Sequence, residues 1–310
     1  MRDIDRRTFL KTAALAGAGL TLSSSVPLGG AGTPSLCIVH YKSPPQAPDG
    51  IAEEARRLTR AAIDGLGGMG RFISKGHKVW IKPLMAWDRR PEQAANTNPD
   101  VVATLVELCF QAGAGKVLVS DNVCNPAIRV FARSGIADAA KKAGAEVVFL
   151  DDRKFRRMVI KGGKVLREWD VYQDIVEADR WINVPIAKTH DLSTVSLGMK
   201  NLMGAIGGAR NRLHQDLDHT LPDLAGFLKP QLVVLDAVRV LTANGPVGGN
   251  LADVQRRDTV AASADQVAID AFGATLLGFK PQTIGHIVEG HARGLGSMDF
   301  EGLAPRRIEV

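Results

Sequence analysis

The chain is predicted to be an α/β protein, with a mostly parallel sheet, helices on both faces and an added β-hairpin near residues 158–169. Three observations carry that expectation. From residue 36 onward, apolar runs of strand length alternate with helix-length periodic segments, and strands separated by helices need crossover connections and so pair in parallel. Polar residues stand directly after several of the apolar runs, where open sheets present side chains to ligands. Finally, MVIKGGKVLREW (158–169) breaks the rhythm, with Gly162-Gly163 between two alternating runs in the manner of a hairpin.

In chain order, LCIVHY (36–41) reads as a strand and GIAEEARRLTRAAIDGL (50–66) as a helix. KVWIKP (78–83) is a strand, and NPDVVATLVELCFQAG (98–113) a helix opened by Asn98 as cap and Pro99 at its first position. KVLVSD (116–121) is a strand, residues 125–144 are helical, and EVVFLDD (146–152) is a strand. After the hairpin come the strand RWINVP, a Gly-, Ser- and Met-rich segment compatible with a helix, and a helix around TLPDLAGFLK. The strand QLVVLDA (231–237), the glycine-rich loop ANGPVGGN (243–250), the strand DTVAAS (258–263) and the helix ADQVAIDAFGATLLGF complete the pattern. No internal repeat, low-complexity linker or shift in composition divides the chain.

Lys82, Asp121-Asn122, Asp151, Lys188-Thr189-His190 and Asp236 each follow an apolar strand, so several are expected along one rim of the sheet. Strand ends that merely meet solvent explain any one of them. They explain the Lys188-Thr189-His190 cluster less well, because polar groups recur beyond it. On a helix, Ser196 and Lys200 would share one face, and Gly198 and Gly204 would let a ligand or backbone approach closely.

The amino-terminal segment DRRTFLKTAALAGAGLTLSSSVPLGGAG has Arg6 and Arg7 followed by Phe9, Leu10, Lys11 and a weakly apolar run too short to span a membrane. It resembles a twin-arginine export signal, with Asp5 where Ser or Thr is more usual. That resemblance implies handling by the twin-arginine translocase, a signal peptide over residues 1–31, a single α/β domain over 32–310, and a periplasmic or otherwise exported destination. Pro34-Ser35-Leu36 before Cys37 makes a poor lipobox, so no stable membrane anchor is expected.

The formal charge is +6. Four basic residues of the signal (Arg2, Arg6, Arg7, Lys11) stand against Asp3 and Asp5, so the remainder carries +4. A modest positive excess suits a small anionic molecule or an anionic membrane surface. No basic stripe interleaved with aromatics is present, which argues against nucleic acid. Cys37, Cys109 and Cys124 form no C-x-x-C pair, which excludes a disulfide scaffold, a zinc ribbon and a ferredoxin-type motif.

INVPIAKTHDLSTVSLGMKNLMG (182–204) resembles the motif of the family called domain of unknown function 362: Ile-Asn-Val-Pro-x-x-Lys-Thr-His, a spacer, then Lys-Asn-Leu-x-Gly. The likeness extends to VWIKP (79–83), where members often continue with Asn and this chain has Leu84. It also takes in NRLHQD (211–216), LDA (235–237), NGPVGG (244–249), ADQVAID (264–270) and GLGSMD (294–299). The resemblance implies a fold and pocket residues but no reaction. Many relatives carry iron–sulfur cysteines; this chain lacks them, and no cluster is expected. A fainter similarity links it to the nickel-pincer lactate racemases, which also place His and Lys around a strand end and a glycine-rich helix.

Lys82, Lys188 and Lys200, with His190, Asn201, Arg210 and His214, form a candidate anion cradle, since lysine supplies a point charge and a helix amino end adds oriented N–H groups. Clustered cations depress one another's pKa, which lets a Lys or His act as a base. Lys188, His190 and Lys200 are the candidate catalytic residues. Lys82, Thr189, Asn201, Gly204, Arg210 and Gly245 are the candidate ligand-binding ones, Gly245 through a loop that is either a tight turn or a pocket wall. HQDLDHTLPD offers His214, Asp216, Asp218 and His219, two of which with Asp236 could hold a divalent metal; otherwise Asp218 is a cap and His219 a turn residue. Asp265 and Asp270 read as a cap and a helix residue, and Cys124 as a free thiol with no assignable base. Two functions fit: an enzyme acting on a small anion, or a non-catalytic cofactor-binding or assembly protein for a redox partner.

Overall fold

The computed structural model describes residues 34–42 and 50–310. The signal segment therefore lies outside the described residues. Strand β1 (Leu36–His40) is followed by helix α1 (Gly50–Gly65), β2 (Lys78–Pro83), α2 (Pro99–Gln111) and β3 (Lys116–Val119). Asn98 caps α2, accepting from the Asp100 N–H at 2.9 Å, with Pro99 at the first position as expected. The helix expected over 125–144 is two, α3 (Ala127–Arg133) and α4 (Ile136–Lys142), because Gly135 turns to φ +72° between them. β4 is only Glu146–Val147, since it borders the sheet and pairs with β3 alone. Beyond it the chain leaves the ladder and Phe149 stacks on Phe131.

β5 (Phe155–Val159) and β6 (Glu168–Tyr172) pair antiparallel in a sheet of their own. The hairpin is thus wider than expected, with residues 160–167 connecting its strands. Asp223 holds that connection by accepting the N–H groups of Lys164, Val165 and Leu166 at 2.8, 2.9 and 2.7 Å. After the short α5 (Gln173–Val176), the run around RWINVP becomes two strands, β7 (Arg180–Val184) and β8 (Ile186–His190), separated by Pro185. β9 (Thr194–Ser196) and the four-residue α6 (Gly198–Asn201) follow, then α7 (Leu217–Leu228), β10 (Leu232–Leu241), β11 (Val254–Ser263), α8 (Gln266–Leu276), α9 (Gly285–Ala292) and β12 (Arg306–Glu309).

The main sheet runs β12-β1-β11-β10-β7-β2-β3-β4. Its ladders from β10 through β7, β2 and β3 to β4 are parallel, whereas β11 is antiparallel to both β1 and β10. β10 is longer than its apolar core predicted, and β8 pairs parallel to its far half while β9 turns back on β8. Strand alternation sorts the core into two layers. Val79, Ile81 and Val234 face Leu58 of α1 and Leu105 of α2, while Trp80, Val233 and Leu235 face Leu221 of α7, Ile269 of α8 and Ile287 of α9. Helices cover both faces, and the carboxyl ends of β2, β3 and β8 gather at one rim.

Candidate functional site

At that rim lies a cavity of about 270 Å³. Lys82, Lys188, His190, Lys200, Asn201, Gly204, Arg210 and His214 all border it, together with Leu84, Trp87, Asp121, Cys124, Met203 and Pro246. A larger cavity of about 420 Å³ opens at the opposite end of the sheet, beside Arg180 and Trp181 at the start of β7, and contains none of the residues singled out by the sequence.

The three lysines sit differently. Lys82 Nζ lies 2.8 Å from Asp121 Oδ1 and donates to Asn201 Oδ1 at 2.8 Å and Pro83 O at 3.1 Å. Asn201 passes the network on, donating to Asn183 Oδ1 at 2.8 Å, and Asn183 donates to Gly198 O at 2.9 Å. Burial lowers the Lys82 pKa, and the Asp121 carboxylate opposes that shift. Lys188, equally buried, reaches only carbonyls, Ala95 O at 2.8 Å and Pro246 O at 2.7 Å, with its ammonium 5.7 Å from the Trp87 ring centroid. Burial, reinforced by Lys200, brings its pKa down to about 7. Lys200 contacts Met203 Sδ at 3.1 Å and His214 Nε2 at 3.2 Å, and burial lowers it to about 8.

The two cavity histidines have opposite hydrogen-bonding senses. His190 Nδ1 accepts the N–H groups of Leu192 and Ser193 at 3.1 and 3.4 Å, so the neutral ring carries its proton on Nε2. Burial first, then Lys200 and Lys188, hold its pKa down to about 3. His214 Nδ1 faces the carbonyl of Asn211 at 3.1 Å and must donate to it, which leaves Nε2 to accept from Lys200. The rings stack 5.9 Å apart.

The segment between these histidines corrects the sequence reading. It is not one helix: Lys188 pairs with Ser196 and His190 with Thr194 across an antiparallel turn, so Ser196 and Lys200 do not share a helix face. The N–H groups of Gly198 and Met199 at the start of α6 are not offered to a ligand either. They donate to Asp270 Oδ1 and Oδ2 at 2.6 and 2.9 Å. A methyl at Gly198 would sit 2.7 Å from that carboxylate, and one at Gly204 would sit 1.7 Å from Asp121 Oδ1 and 2.6 Å from Lys82 Nζ. Both glycines therefore admit protein carboxylates rather than a bound molecule.

Three candidates fall elsewhere. Thr189 alternates to the other side of β8 from Lys188 and His190, away from the cavity wall. Gly245 is explained by backbone packing, since a Cβ there would lie 2.0 Å from Thr189 O. Asp236 is buried within β10 and accepts the N–H groups of Asn98 and Val238 at 2.7 and 3.1 Å, so it fixes the entry to α2 and does not meet His214. Asp216 bonds His219 at 2.7 Å, and Asp218 packs against Gly285. Among the described residues, no group of three or more His, Cys, Asp or Glu side chains is placed to hold a metal ion. Arg210 is turned to the carbonyls of Asn122, Val123 and Met203, and Cys124 stands 3.7 Å from its guanidinium.

Sequence reasoning missed Trp87 and the roles of Asn183 and Asp270, although both polar residues stand inside the quoted motifs. It also missed His286, a buried ring without a hydrogen-bond partner, which burial and then Lys200 hold down to about 4.

The fold and rim define an α/β protein whose strand carboxyl ends present lysines and imidazoles to a cavity. The family described as domain of unknown function (DUF362) matches residues 79–275, a span that contains every residue just described from Lys82 to Asp270, and the chain belongs to that family. Residues 3–23 match the twin-arginine translocation pathway signal sequence, which directs export by that route. No helix among the described residues is long and apolar enough to cross a membrane. The thylakoid-associated protein sll1697 of Synechocystis sp. is 28% identical over 269 residues, 81% of this chain and 80% of that protein. The lactate racemase apoprotein from Thermoanaerobacterium thermosaccharolyticum aligns at 12% identity with a TM-score of 0.45, covering 77% of this chain; this chain spans 56% of that one.

Proposed function

We propose that this exported protein binds a small anionic molecule in the rim cavity, with Lys188 and Lys200 supplying the charge. The observation that supports this most directly is the isolation of those two ammonium groups. Both are buried at the cavity, and no carboxylate among the described residues lies within ion-pair distance of either. Buried charge without a counter-charge is costly, and an anion from outside relieves that cost. Lys200 and His214 share one proton between groups of depressed pKa, which fits proton transfer to or from the bound molecule and so an enzyme rather than a passive carrier. Because the twin-arginine route carries folded proteins, the cavity is loaded in the cytoplasm or filled at the exported destination, the periplasm.

The test is native mass spectrometry of the exported protein, followed by calorimetric titration with acetate, benzoate, sulfate and phosphate. At least one of these should bind, and Lys188→Met and Lys200→Met should each weaken it roughly ten- to a hundredfold, the scale of a lost charged hydrogen bond. Binding that is unchanged in both variants, or no binding by any of the four together with no co-purifying anion, would overturn the reading.

A further inference from the structure

The hydrogen-bond donors left unspent around the cavity describe the anion more closely, an inference that rests on the anion-binding reading above. Each lysine ammonium has three N–H groups. Lys188 spends two on Ala95 O and Pro246 O, and Lys200 spends two on Met203 Sδ and His214 Nε2, so one remains on each. The two terminal nitrogens of Arg210 are committed to the carbonyls of Asn122, Val123 and Met203 and to the Cys124 sulfur, Asn201 to Lys82 and Asn183, and the N–H groups opening α6 to Asp270. The uncharged donors at the wall include the Nε2–H of His190, whose tautomer is fixed by the N–H groups of Leu192 and Ser193, the hydroxyl of Ser196 and the exposed side-chain amide of Asn211.

Two charged N–H groups match the two oxygens of one carboxylate. A phosphate brings three or four oxygens and a second charge, and the wall also carries the carboxylates of Asp121 and Asp191. Leu84, Trp87, Leu192 and Met203 give the lining an apolar part, beside the side-chain amides of Asn122 and Asn211. We infer that the ligand is an organic monocarboxylate with an uncharged acceptor oxygen near the carboxylate and an apolar body, and that His190 is the residue that reads the uncharged oxygen. His190 suits that task because it stays neutral: its depressed pKa keeps it a donor of one N–H across the physiological range. A site built to donate to a substrate oxygen discriminates strongly against analogues lacking it.

Two matched pairs of probes test this: pyruvate against propanoate, and phenylpyruvate against 3-phenylpropanoate, with inorganic phosphate as the third arm, all titrated calorimetrically into the exported protein. The keto member of at least one pair should bind tenfold or more tightly than its partner, the phenyl pair should bind more tightly than the small pair, and phosphate should be weakest. His190→Ala should shrink the keto preference to within about twofold, the keto acids losing more affinity than the plain carboxylates, and His190→Gln, which keeps an N–H donor, should restore part of that preference. Equal binding within both pairs, or phosphate binding more tightly than every carboxylate, would overturn the inference while leaving anion binding intact. Failure of all probes in wild-type protein that also carries no co-purifying anion would remove the anion reading itself.

Discussion

Lys82 on β2 and Lys188 on β8 are both fully buried and both border the same cavity, yet they are opposites in chemistry. Lys82 has a carboxylate at 2.8 Å and a side-chain amide at 2.8 Å, so its charge is neutralised by the protein and it ties β2, β3 and α6 together. Lys188 has two carbonyls and an aromatic ring, and its charge is left for something else. A buried lysine marks a site only when its counter-charge is absent.

The largest effect should come from breaking that contrast by substitution. Lys82→Met leaves Asp121 buried without its cation and should destabilise the protein by about 3–5 kcal/mol. Lys188→Met works in the opposite direction. At pH 6.5 it removes a charge whose pKa has fallen from 10.5 to about 7, a penalty worth about 1.4 kcal/mol per unit, against the loss of two hydrogen bonds of about 1 kcal/mol each. The empty protein should gain about 3 kcal/mol while anion binding weakens roughly ten- to a hundredfold. Urea denaturation of the three proteins decides it: if Lys188→Met is destabilised as strongly as Lys82→Met, the two lysines are both structural.

The pH dependence should sharpen the same comparison at smaller amplitude. Lys188 and Lys200 have folded pKa values of about 7 and about 8, below their ordinary 10.5. The unfolded chain then holds more protons between those values, so the empty fold should gain stability as pH rises from about 7 toward 10.5. Anion binding runs the other way, because it needs the protonated amines. Affinity should level off below about pH 7 and fall as pH rises through 7 and 8, by up to tenfold per pH unit for each proton taken up on binding. Calorimetry in buffers of different ionisation enthalpy would register that uptake. Affinity independent of pH between 6 and 9 would show that neither lysine carries the contact.

The rim was legible because strand-ending lysines and the order of the Asn-Val-Pro, Lys-Thr-His and Lys-Asn groups are local features. The partners were not, because they come from far along the chain. Asp121 reaches Lys82 from just past the end of the neighbouring strand β3, and Asp270 reaches Gly198 across 72 residues of sequence. Secondary structure failed where tertiary pairing overrode local preference: β8 continues past Pro185 because β10 runs on beside it, and β9 exists because it can turn back on β8. His214 and Asp236 looked like fellow ligands by residue type, but Asp236 spends both oxygens on backbone N–H groups.

Gly198 offers the finest version of the comparison, since it lies beside a carboxylate with no cation. Glycine inside a helix costs about 1 kcal/mol relative to alanine, which from the sequence suggested close approach of a ligand or of backbone. The structure fills that space with Asp270, whose Oδ1 would lie 2.7 Å from an added methyl while accepting the N–H of the same residue at 2.6 Å. Burial raises the Asp270 pKa to about 7, and the two N–H groups of α6 oppose that rise. Gly198→Ala must therefore push the carboxylate off its two donors, an overpacking cost of about 1–3 kcal/mol, offset by less than the roughly 1 kcal/mol of an interior position because Gly198 only opens the four-residue α6. The empty protein should lose about 1 kcal/mol, and anion affinity should fall only as far as Lys200 on the same short helix is displaced. Thermal melts of the empty variant decide between the two explanations of the glycine. A variant more stable than wild type would mean that the space belongs to the ligand after all, and that Asp270 yields without cost.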